Sequence, residues 1–296
     1  MRVSIWPGAA QPYSDMLEVA QHAAATGWDG VWVADHFMPN ASPGVDPRHP
    51  VLEAGSLVAA LGAVVPRVRI GTLVYGNTYR HPALLANMAA TADHICGGRF
   101  TLGVGAGWQV NEHEQYGIEL PRVKQLLDRF EEALLVLRGL LREPSTTIDG
   151  TYYQLTDAVC EPKPLQDPLP LLIGGKGEKR MLRIVAEHAD LWNSWGLPET
   201  IAHRISVLDA HCAAVGRDPA AISRTAQALV VVDGPVPQAG PPAIGGTPAQ
   251  LAATVEEYRR IGLDELIVPD GLLGTGADRL KAMDTVLSIV RDQGLL

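Results

Sequence analysis

The chain is poor in the residues that build disulfide frameworks and metal sites. Its three cysteines, Cys96, Cys160 and Cys212, are odd in number and widely spaced among 296 residues. This usage excludes a disulfide framework and favours a reducing, cytoplasmic location. The histidines show no H-E-x-x-H or comparable ligand spacing, so we predict that the protein binds no metal.

Long apolar runs and basic runs are also missing. No apolar stretch approaches the ~18 residues of a membrane helix, and the first residues lack the apolar segment of a signal peptide. The net charge is −9. We therefore expect neither a membrane nor a nucleic-acid partner, and an anionic ligand must be held by local charge. Neither a P-loop motif nor a G-x-S-x-G elbow occurs, which argues against those nucleotide and hydrolase sites.

Apolar strand patterns alternate with amphipathic helix patterns along the whole chain. The predicted strands are 3–6, 30–34, 68–75, 100–104, 169–173, 190–193, 226–232 and 265–268. The predicted helices are 13–26, 53–63, 82–95, 123–141, 179–188, 198–215, 248–261 and 277–292. Eight strand–helix pairs with nearly all-apolar strands predict an α/β protein, a single (β/α)8 barrel domain over 1–296. A doubly wound open sheet is the alternative.

Irregular stretches interrupt this alternation, and we predict rim insertions after strands two, four and seven. They are 40–50, 144–170 and 233–246, all rich in proline, glycine or aspartate. Within the second, 146–155 predicts a hairpin of two short strands around Asp149 and Gly150. Because loops that follow barrel strands lie on the catalytic face, the first and third are either a lid or ordinary solvent-facing loops.

The most informative stretch is 169–193, in which a buried strand is followed by a glycine-rich turn and a helix. The turn contains Gly174, Gly175 and Gly177, and Lys176, Lys179, Arg180 and Arg183 lie in or near the start of the helix. Glycines allow close approach of a ligand to the backbone, and a helix N-terminus presents free N–H groups. The pattern predicts a phosphate site for a nucleotide-like cofactor, and the alternative is an ordinary tight connection.

Polar residues stand at the ends of three other strands. Asp35 and His36 follow strand two, where a histidine either transfers a proton near neutral pH or only hydrogen-bonds the backbone. Gly76 and Asn77 follow strand three. The glycines at the end of strand four (Gly103, Gly105 and Gly107) lack the acidic residue of a dinucleotide fingerprint. We expect them to thin the strand end so that a flat ring can lie against the backbone.

Three blocks, residues 28–37, 71–118 and 170–193, resemble the luciferase-like monooxygenase superfamily and its actinobacterial branch of coenzyme F420-dependent oxidoreductases. The resemblance implies a barrel that binds F420, a deazaflavin, or FMN at the C-terminal ends of its strands. It implies that His36 faces the ring as the catalytic residue. It also implies a bulge with a cis peptide bond between Leu73 and Val74, pressing on the ring. The predicted cofactor-binding residues are Asp35, Leu73, Val74, Gly76, Asn77, Ala106, Gly107, Trp108, Asn111, Ile173, Gly174, Gly175, Lys176 and Gly177.

The function that follows is hydride transfer between coenzyme F420 and a small organic substrate. The alternatives are an FMN-dependent, two-component monooxygenase that uses O2 and a non-catalytic cofactor-binding barrel. Sugar-phosphate dehydrogenases of this family carry a glutamate where Trp108 stands, so that activity is disfavoured. Helix 82–95 carries few charges, and closed dimers are the commonest soluble oligomers, so we predict a homodimer.

Overall fold

Eight parallel strands form a closed barrel in the computed structural model, which describes residues 1–42 and 44–292. The predicted single domain therefore includes Pro43 and residues 293–296, which lie outside the described residues. The strands are β1 (Arg2–Trp6), β2 (Gly30–Val33), β3 (Arg69–Thr72), β4 (Tyr75–Gly76), β5 (Phe100–Gly105), β6 (Thr146–Asp149), β7 (Gln154–Ala158), β8 (Leu171–Gly174), β9 (Leu191–Trp195), β10 (Ser223–Gln227), β11 (Leu229–Val232), β12 (Ala243–Gly246) and β13 (Glu265–Pro269). The ring order is β1, β2, β3, β5, β8, β9, β10 and β13, and β13 pairs with β1 to close it. This confirms the predicted (β/α)8 barrel and excludes the open sheet.

The helices surround the barrel because one side of each is apolar. They are α1 (Tyr13–Thr26), α2 (Ala54–Val64), α3 (Pro82–Ile95), α4 (Val110–Tyr116), α5 (Val123–Arg142), α6 (Met181–His188), α7 (Pro198–Val215), α8 (Pro248–Arg260) and α9 (Gly276–Asp292). In α5, Leu126, Phe130 and Leu137 recur at helical spacing and are buried. Local signals set several ends. The side chain of Glu53 caps the first N–H groups of α2, and left-handed Gly27 ends α1.

The core has two parts. Most buried apolar side chains lie between the strands and the helices. A smaller cluster fills the barrel interior, and its members are Trp32, Leu73, Leu172, Leu191 and Ile267. Near the N-terminal ends of the strands, buried Glu265 accepts hydrogen bonds from Ser4, Trp32 and Arg69, at 2.6, 3.1 and 2.8 Å. The interior is therefore packed, and a ligand can reach it only at an end of the barrel.

Two predicted strands are divided in the structure. Strand three, predicted over 68–75, is interrupted between β3 and β4, and the peptide bond between Leu73 and Val74 is cis, as predicted. Strand seven, predicted over 226–232, was placed wrongly. The barrel strand is β10, and β11 leaves the barrel to pair in parallel with β12. The stretch 233–246, predicted as a loop, therefore ends in a strand that the sequence pattern did not indicate.

The irregular stretches occupy different sides of the barrel. Residues 34–53 connect β2 to α2, and the connection from β5 to α5 contains α4, a helix that we did not predict. The hairpin of β6 and β7 is confirmed, with Gly150 donating its N–H to the carbonyl of Tyr153. This hairpin follows helix α5, so the stretch 144–170 is not an insertion after a strand.

Candidate active site

The predicted site residues lie at the C-terminal ends of four strands that are neighbours in the ring: β2, β3, β5 and β8. Contacts link these ends in series. The backbone N–H of Gly76 donates to Asp35, His36 lies against Trp108, and an added Cβ on Gly174 would touch Val74. The four segments, far apart in sequence, therefore form one continuous arc on the face of the barrel that carries catalysis in this architecture.

His36 is oriented by a buried carboxylate. Its Nδ1 lies 2.9 Å from Oε1 of Glu112, whose side chain is fully buried, whereas the imidazole is 30% exposed. Oε2 of Glu112 accepts the backbone N–H of Phe37, and the Tyr79 hydroxyl donates to Oε1. Nε2 of His36 bonds to none of the described residues and is left for a ligand.

The charge on Glu112 decides the tautomer of His36. Burial alone would raise the pKa of Glu112, but hydrogen bonds from His36, Tyr79 and the N–H of Phe37 outweigh it and lower that pKa. Burial, followed by the hydrogen bond to the carboxylate, raises the pKa of Tyr79, which stays a neutral donor. An ionised Glu112 accepts a hydrogen bond from the N–H at Nδ1, so Nε2 of a neutral His36 carries the lone pair.

Trp108 stands beside this pair. Its ring meets the imidazole of His36 edge-on, with centroids 5.5 Å apart and an interplanar angle of 83°. The indole is 59% exposed. The carboxylate that supports His36 is thus supplied by Glu112, four residues further along on α4, and not by position 108. We did not single out Glu112 from the sequence, because helix α4 was not predicted.

Asp35 holds the end of strand three in place. It is buried, receives two hydrogen bonds from Arg80 at 2.7 and 2.9 Å, and accepts the N–H of Gly76 at 2.9 Å. Arg80 also binds Glu53, which caps α2. A carboxylate engaged in this way positions the backbone next to the site, and this is the role that the structure favours for it. Asn77 is buried beside it, with its amide 3.5 Å from the hydroxyl of Tyr153.

We expected the glycines of β5 to make room for a flat ring, but the structure gives another explanation for them. A Cβ on Gly103 would lie 1.8 Å from the carbonyl oxygen of Thr72, and one on Gly105 would lie 2.7 Å from the side chain of Val74. The close approach of strand three therefore fills the space at these glycines, and no flat ring is needed to explain them. Val74 packs against the interior cluster, so it forms part of the floor of the site.

The segment after β5 is tied to its neighbours. Ala106 is buried, and Gly107 has a φ of +102° and packs on Thr78. The amide of Asn111 donates to the carbonyl of Pro39 and accepts the N–H of Ala41. Asn111 thus holds the loop after β2, and its side chain is already engaged at both ends.

The glycine turn after β8 presents two free cations. Lys176 and Lys179 are exposed and make no hydrogen bond or ion pair with a residue in the described ranges. The other two basic residues are engaged, since Arg180 pairs with Asp128 and Glu131, and Arg183 pairs with Glu187. The predicted basic cluster is therefore reduced to the two lysines.

The glycines of the turn differ in the space around them. A Cβ on Gly175 would lie 2.5 Å from the side chain of Met181, whereas one on Gly177 would make only a 3.4 Å contact. Gly177 is exposed. Ile173 packs in the core between strands and helices, so only its backbone faces the turn. Free lysines, an open glycine and the start of α6 fit an anionic group such as a cofactor phosphate.

The opposite side of the barrel mouth is aromatic, which sequence reasoning missed. Trp6 ends β1 and Trp195 ends β9, and their rings lie 5.8 Å apart. Gln227 is in register with Trp195, and its side chain is buried. Nε1 of Trp6 and Oε1 of Gln227 are buried without a hydrogen-bond partner. Tryptophan at the last position of a predicted barrel strand was the available signal.

Other features of the described residues give no competing site. An open depression of about 470 Å³ lies between α5 and the hairpin, but its carboxylates are used: Glu131 pairs with Arg180, and Glu132 accepts hairpin N–H groups. Within the described ranges, no group of three or more histidine, cysteine or acidic side chains is placed to hold a metal. None of the described helices is both long and apolar enough to span a membrane.

Comparison with known proteins shows the family of the chain. The model of the family described as luciferase-like monooxygenase matches residues 1–240. The F420-dependent glucose-6-phosphate dehydrogenase of Amycolatopsis mediterranei (strain U-32) is 36% identical over 179 residues, which are 59% of this chain and 50% of that protein. The protein of the same name from Kribbella flavida is 35% identical over 164 residues, 55% of this chain and 48% of its own. The chain thus spans about half the length of these curated relatives.

Solved structures share the fold over nearly the whole chain. An F420-dependent secondary alcohol dehydrogenase, solved with an F420–acetone adduct, superposes with a TM-score of 0.83 at 22% identity, covering 99% of this chain and 100% of that one. A long-chain alkane monooxygenase has a TM-score of 0.84 at 14% identity, covering 100% and 92%. At such identities the likeness concerns the fold.

Proposed function

Because the chain belongs to the luciferase-like monooxygenase family, we propose that it is an oxidoreductase that transfers a hydride between coenzyme F420 and a small organic substrate. The site lies at the C-terminal ends of β2, β3, β5 and β8. The observation that carries the proposal is the pair of His36 and Glu112, which leaves Nε2 of His36 without a described partner on the catalytic face. The names of relatives that use F420 support the choice of cofactor.

The residues present fit an F420 molecule in two places. Its phosphate would lie at the turn of Gly174–Gly177, held by Lys176 and Lys179, whose ammonium groups have no partner within the described ranges. Its ring would lie over Val74 and beside Trp108, next to His36. When bound, coenzyme F420 supplies the two-electron carrier that takes a hydride from, or gives it to, the substrate carbon.

The chain itself supplies the proton chemistry and the positioning. In the oxidising direction, Nε2 of His36 accepts the proton of the substrate hydroxyl, and the imidazolium that forms is stabilised by Glu112. In the reducing direction, the same nitrogen returns a proton to the carbonyl oxygen. The Tyr79 hydroxyl and the N–H of Phe37 keep Glu112 in place, so the imidazole does not have to reorganise between the two states.

The test is titration of the purified protein with F420 and, separately, with FMN, followed by oxygen uptake with each reduced cofactor. We expect tight binding of F420, weak binding of FMN and no oxygen consumption. Rapid oxygen uptake with reduced FMN would identify an FMN-dependent monooxygenase instead. Binding of F420 without turnover on a broad panel of alcohols and carbonyl compounds would identify a non-catalytic binding protein.

A further inference from the structure

Exposed apolar side chains gather where the barrel strands end. Trp108 and Val110 follow β5 and are 59% and 55% exposed, Leu197 follows β9 at 42%, and Leu272 follows β13 at 36%. All four belong to loops or helix starts on the catalytic face. Single exposed apolar residues are ordinary, but a group placed around one end of a barrel indicates a surface that a ligand covers.

The inner layer at the same end is apolar and uncharged. Trp6 packs on the interior cluster and contacts Trp195, and Val74 packs on the same cluster. The polar atoms of this layer that lack a partner are the indole N–H of Trp6 and the amide oxygen of Gln227. They form a donor and an acceptor without net charge, which suit a neutral polar group and not an anion.

Two of the three arginines near this layer are paired with carboxylates. Arg80 binds Asp35 and Glu53, and Arg279 binds Asp270 while its side chain is only 9% exposed. Arg204 pairs with no carboxylate of the described residues and keeps its charge, but its Nη1 is held at the end of β9, where it donates to the hydroxyl of Ser194 and the carbonyl of Trp195. Lys176 and Lys179 belong to the turn assigned to the cofactor phosphate, so a phosphate on the substrate would have to compete for them.

The charge under His36 is negative. Glu112 is fully buried, and its partners are the imidazole, a hydroxyl and a backbone N–H, none of them a permanent cation. At the short distances of a reaction site, an anionic group next to His36 would be repelled by this carboxylate in a medium of low dielectric. A neutral substrate would not be repelled.

We infer that the substrate is an uncharged molecule with an apolar body that packs on Trp108, and that it is neither a sugar phosphate nor a carboxylate. This inference rests on the proposed function and names its substrate class, with Trp108 as the specificity-determining residue. In the oxidising direction a secondary alcohol loses a hydride from carbon to the cofactor and its hydroxyl proton to His36, and leaves as a ketone. Because relatives of the chain are named for glucose 6-phosphate, that compound is included in the test.

The experiment compares matched alcohols on the protein loaded with oxidised F420. The probes are 1-phenylethanol and mandelate, which differ by a methyl group against a carboxylate, together with glucose 6-phosphate. Binding is read from the fluorescence of the bound cofactor, and turnover from loss of its absorbance. We expect 1-phenylethanol to bind at least ~10-fold more tightly than mandelate, and glucose 6-phosphate to leave the signal unchanged.

Variants separate the packing contribution from the charge contribution. Trp108→Ala should weaken binding of 1-phenylethanol by about 10-fold and Trp108→Phe by less, because an aromatic contact is lost or reduced. Leu135→Ala, which removes an apolar side chain that is 50% exposed on the outer helix α5, should have no effect. Glu112→Gln should bring the affinity for mandelate closer to that for 1-phenylethanol, because the substitution removes the buried negative charge.

The outcomes that overturn the inference are specific. Mandelate or glucose 6-phosphate binding as tightly as 1-phenylethanol would refute it, as would an unchanged affinity for 1-phenylethanol in Trp108→Ala. Absence of any signal from 1-phenylethanol on a loaded protein would refute it too, while leaving F420 binding established. Failure of F420 to bind at all would instead refute the proposed function, and the substrate inference would fall with it.

Discussion

At the level of single residues, the site depends on how Glu112 holds the imidazole of His36. The two side chains are 76 positions apart in sequence and 2.9 Å apart in space. The carboxylate is buried and the imidazole is part exposed, so one end of His36 is anchored and the other is open. This division of roles is what an acid–base residue requires.

Removal of the imidazole should abolish most of the activity without loss of the cofactor. We expect His36→Ala to lower kcat by ~10²–10⁴-fold, the usual effect of a lost acid–base group, while the Kd for F420 stays close to that of the parent. Steady-state kinetics and a fluorescence titration check the two halves of this prediction. Unchanged turnover would reduce His36 to a structural residue of the barrel rim.

Glu112 should make the free energy of unfolding decrease at low pH. Its pKa in the folded protein lies below the usual value, so the ionised carboxylate favours the folded state above the unfolded pKa of about 4.3. This contribution disappears as the pH falls from about 4.3 through the lower pKa of the folded state. In urea unfolding between pH 7 and pH 3, we expect the parent to lose more stability than Glu112→Gln does. Equal losses in the two proteins would contradict the prediction.

At the level of elements, the connection from β8 to α6 is the place that we propose for the cofactor phosphate. Gly175 is a poor position for a test of this site, because a side chain there would displace Met181 and disturb the packing. Gly177 is the better position, because a Cβ on it meets only a 3.4 Å contact and its φ lies outside the left-handed region. A change there acts on the ligand and not on the fold.

We expect Gly177→Val to weaken F420 binding by more than ~10-fold with little change in the urea midpoint, because the branched side chain blocks close approach to the backbone. The double variant Lys176→Ala, Lys179→Ala should also weaken binding and should remove much of its dependence on salt. Lys281→Ala, an exposed lysine on α9, is the control. If both turn variants keep their affinity for F420, the cofactor phosphate binds at another place.

At the level of the whole molecule, an apolar surface on α2 and α3 remains to be covered. Leu84 and Ile95 on α3 are 57% and 41% exposed, and Val64 at the end of α2 is 52% exposed. These two helices are neighbours in the fold. A shared apolar surface of this kind is what a two-fold dimer buries.

The predicted homodimer can be tested by sedimentation. We expect a dimeric mass at micromolar concentration and a monomer for Leu84→Asp, because a buried unpaired carboxylate opposes association. Leu135→Asp, on the outward side of α5, should remain dimeric. A monomeric mass for the parent protein would contradict the prediction, and it would leave the barrel and its site unaffected.

Much of the architecture could be read from local patterns. The apolar strands, the helix periodicity and the hairpin signal at Asp149–Gly150 are short-range features, and the structure places them in the predicted barrel. Strand seven and helix α4 were misread for a physical reason. The pattern 226–232 is apolar except for Gln227, yet only the pairing with β9 and β13 decides that the barrel strand ends at that residue.

What the sequence by itself determined was the class of the molecule: eight apolar strands alternating with helices, a glycine turn with lysines after the fifth, and motifs that resemble one family. Tertiary structure alone decided which side chains meet. It placed Glu112 under His36, filled the space at Gly103 and Gly105 with strand three, neutralised Arg180 with Asp128 and Glu131, and set Trp6 beside Trp195. The reason is that strand periodicity and turn signals act over a few residues, whereas closing the barrel brings together strand ends that no local pattern relates.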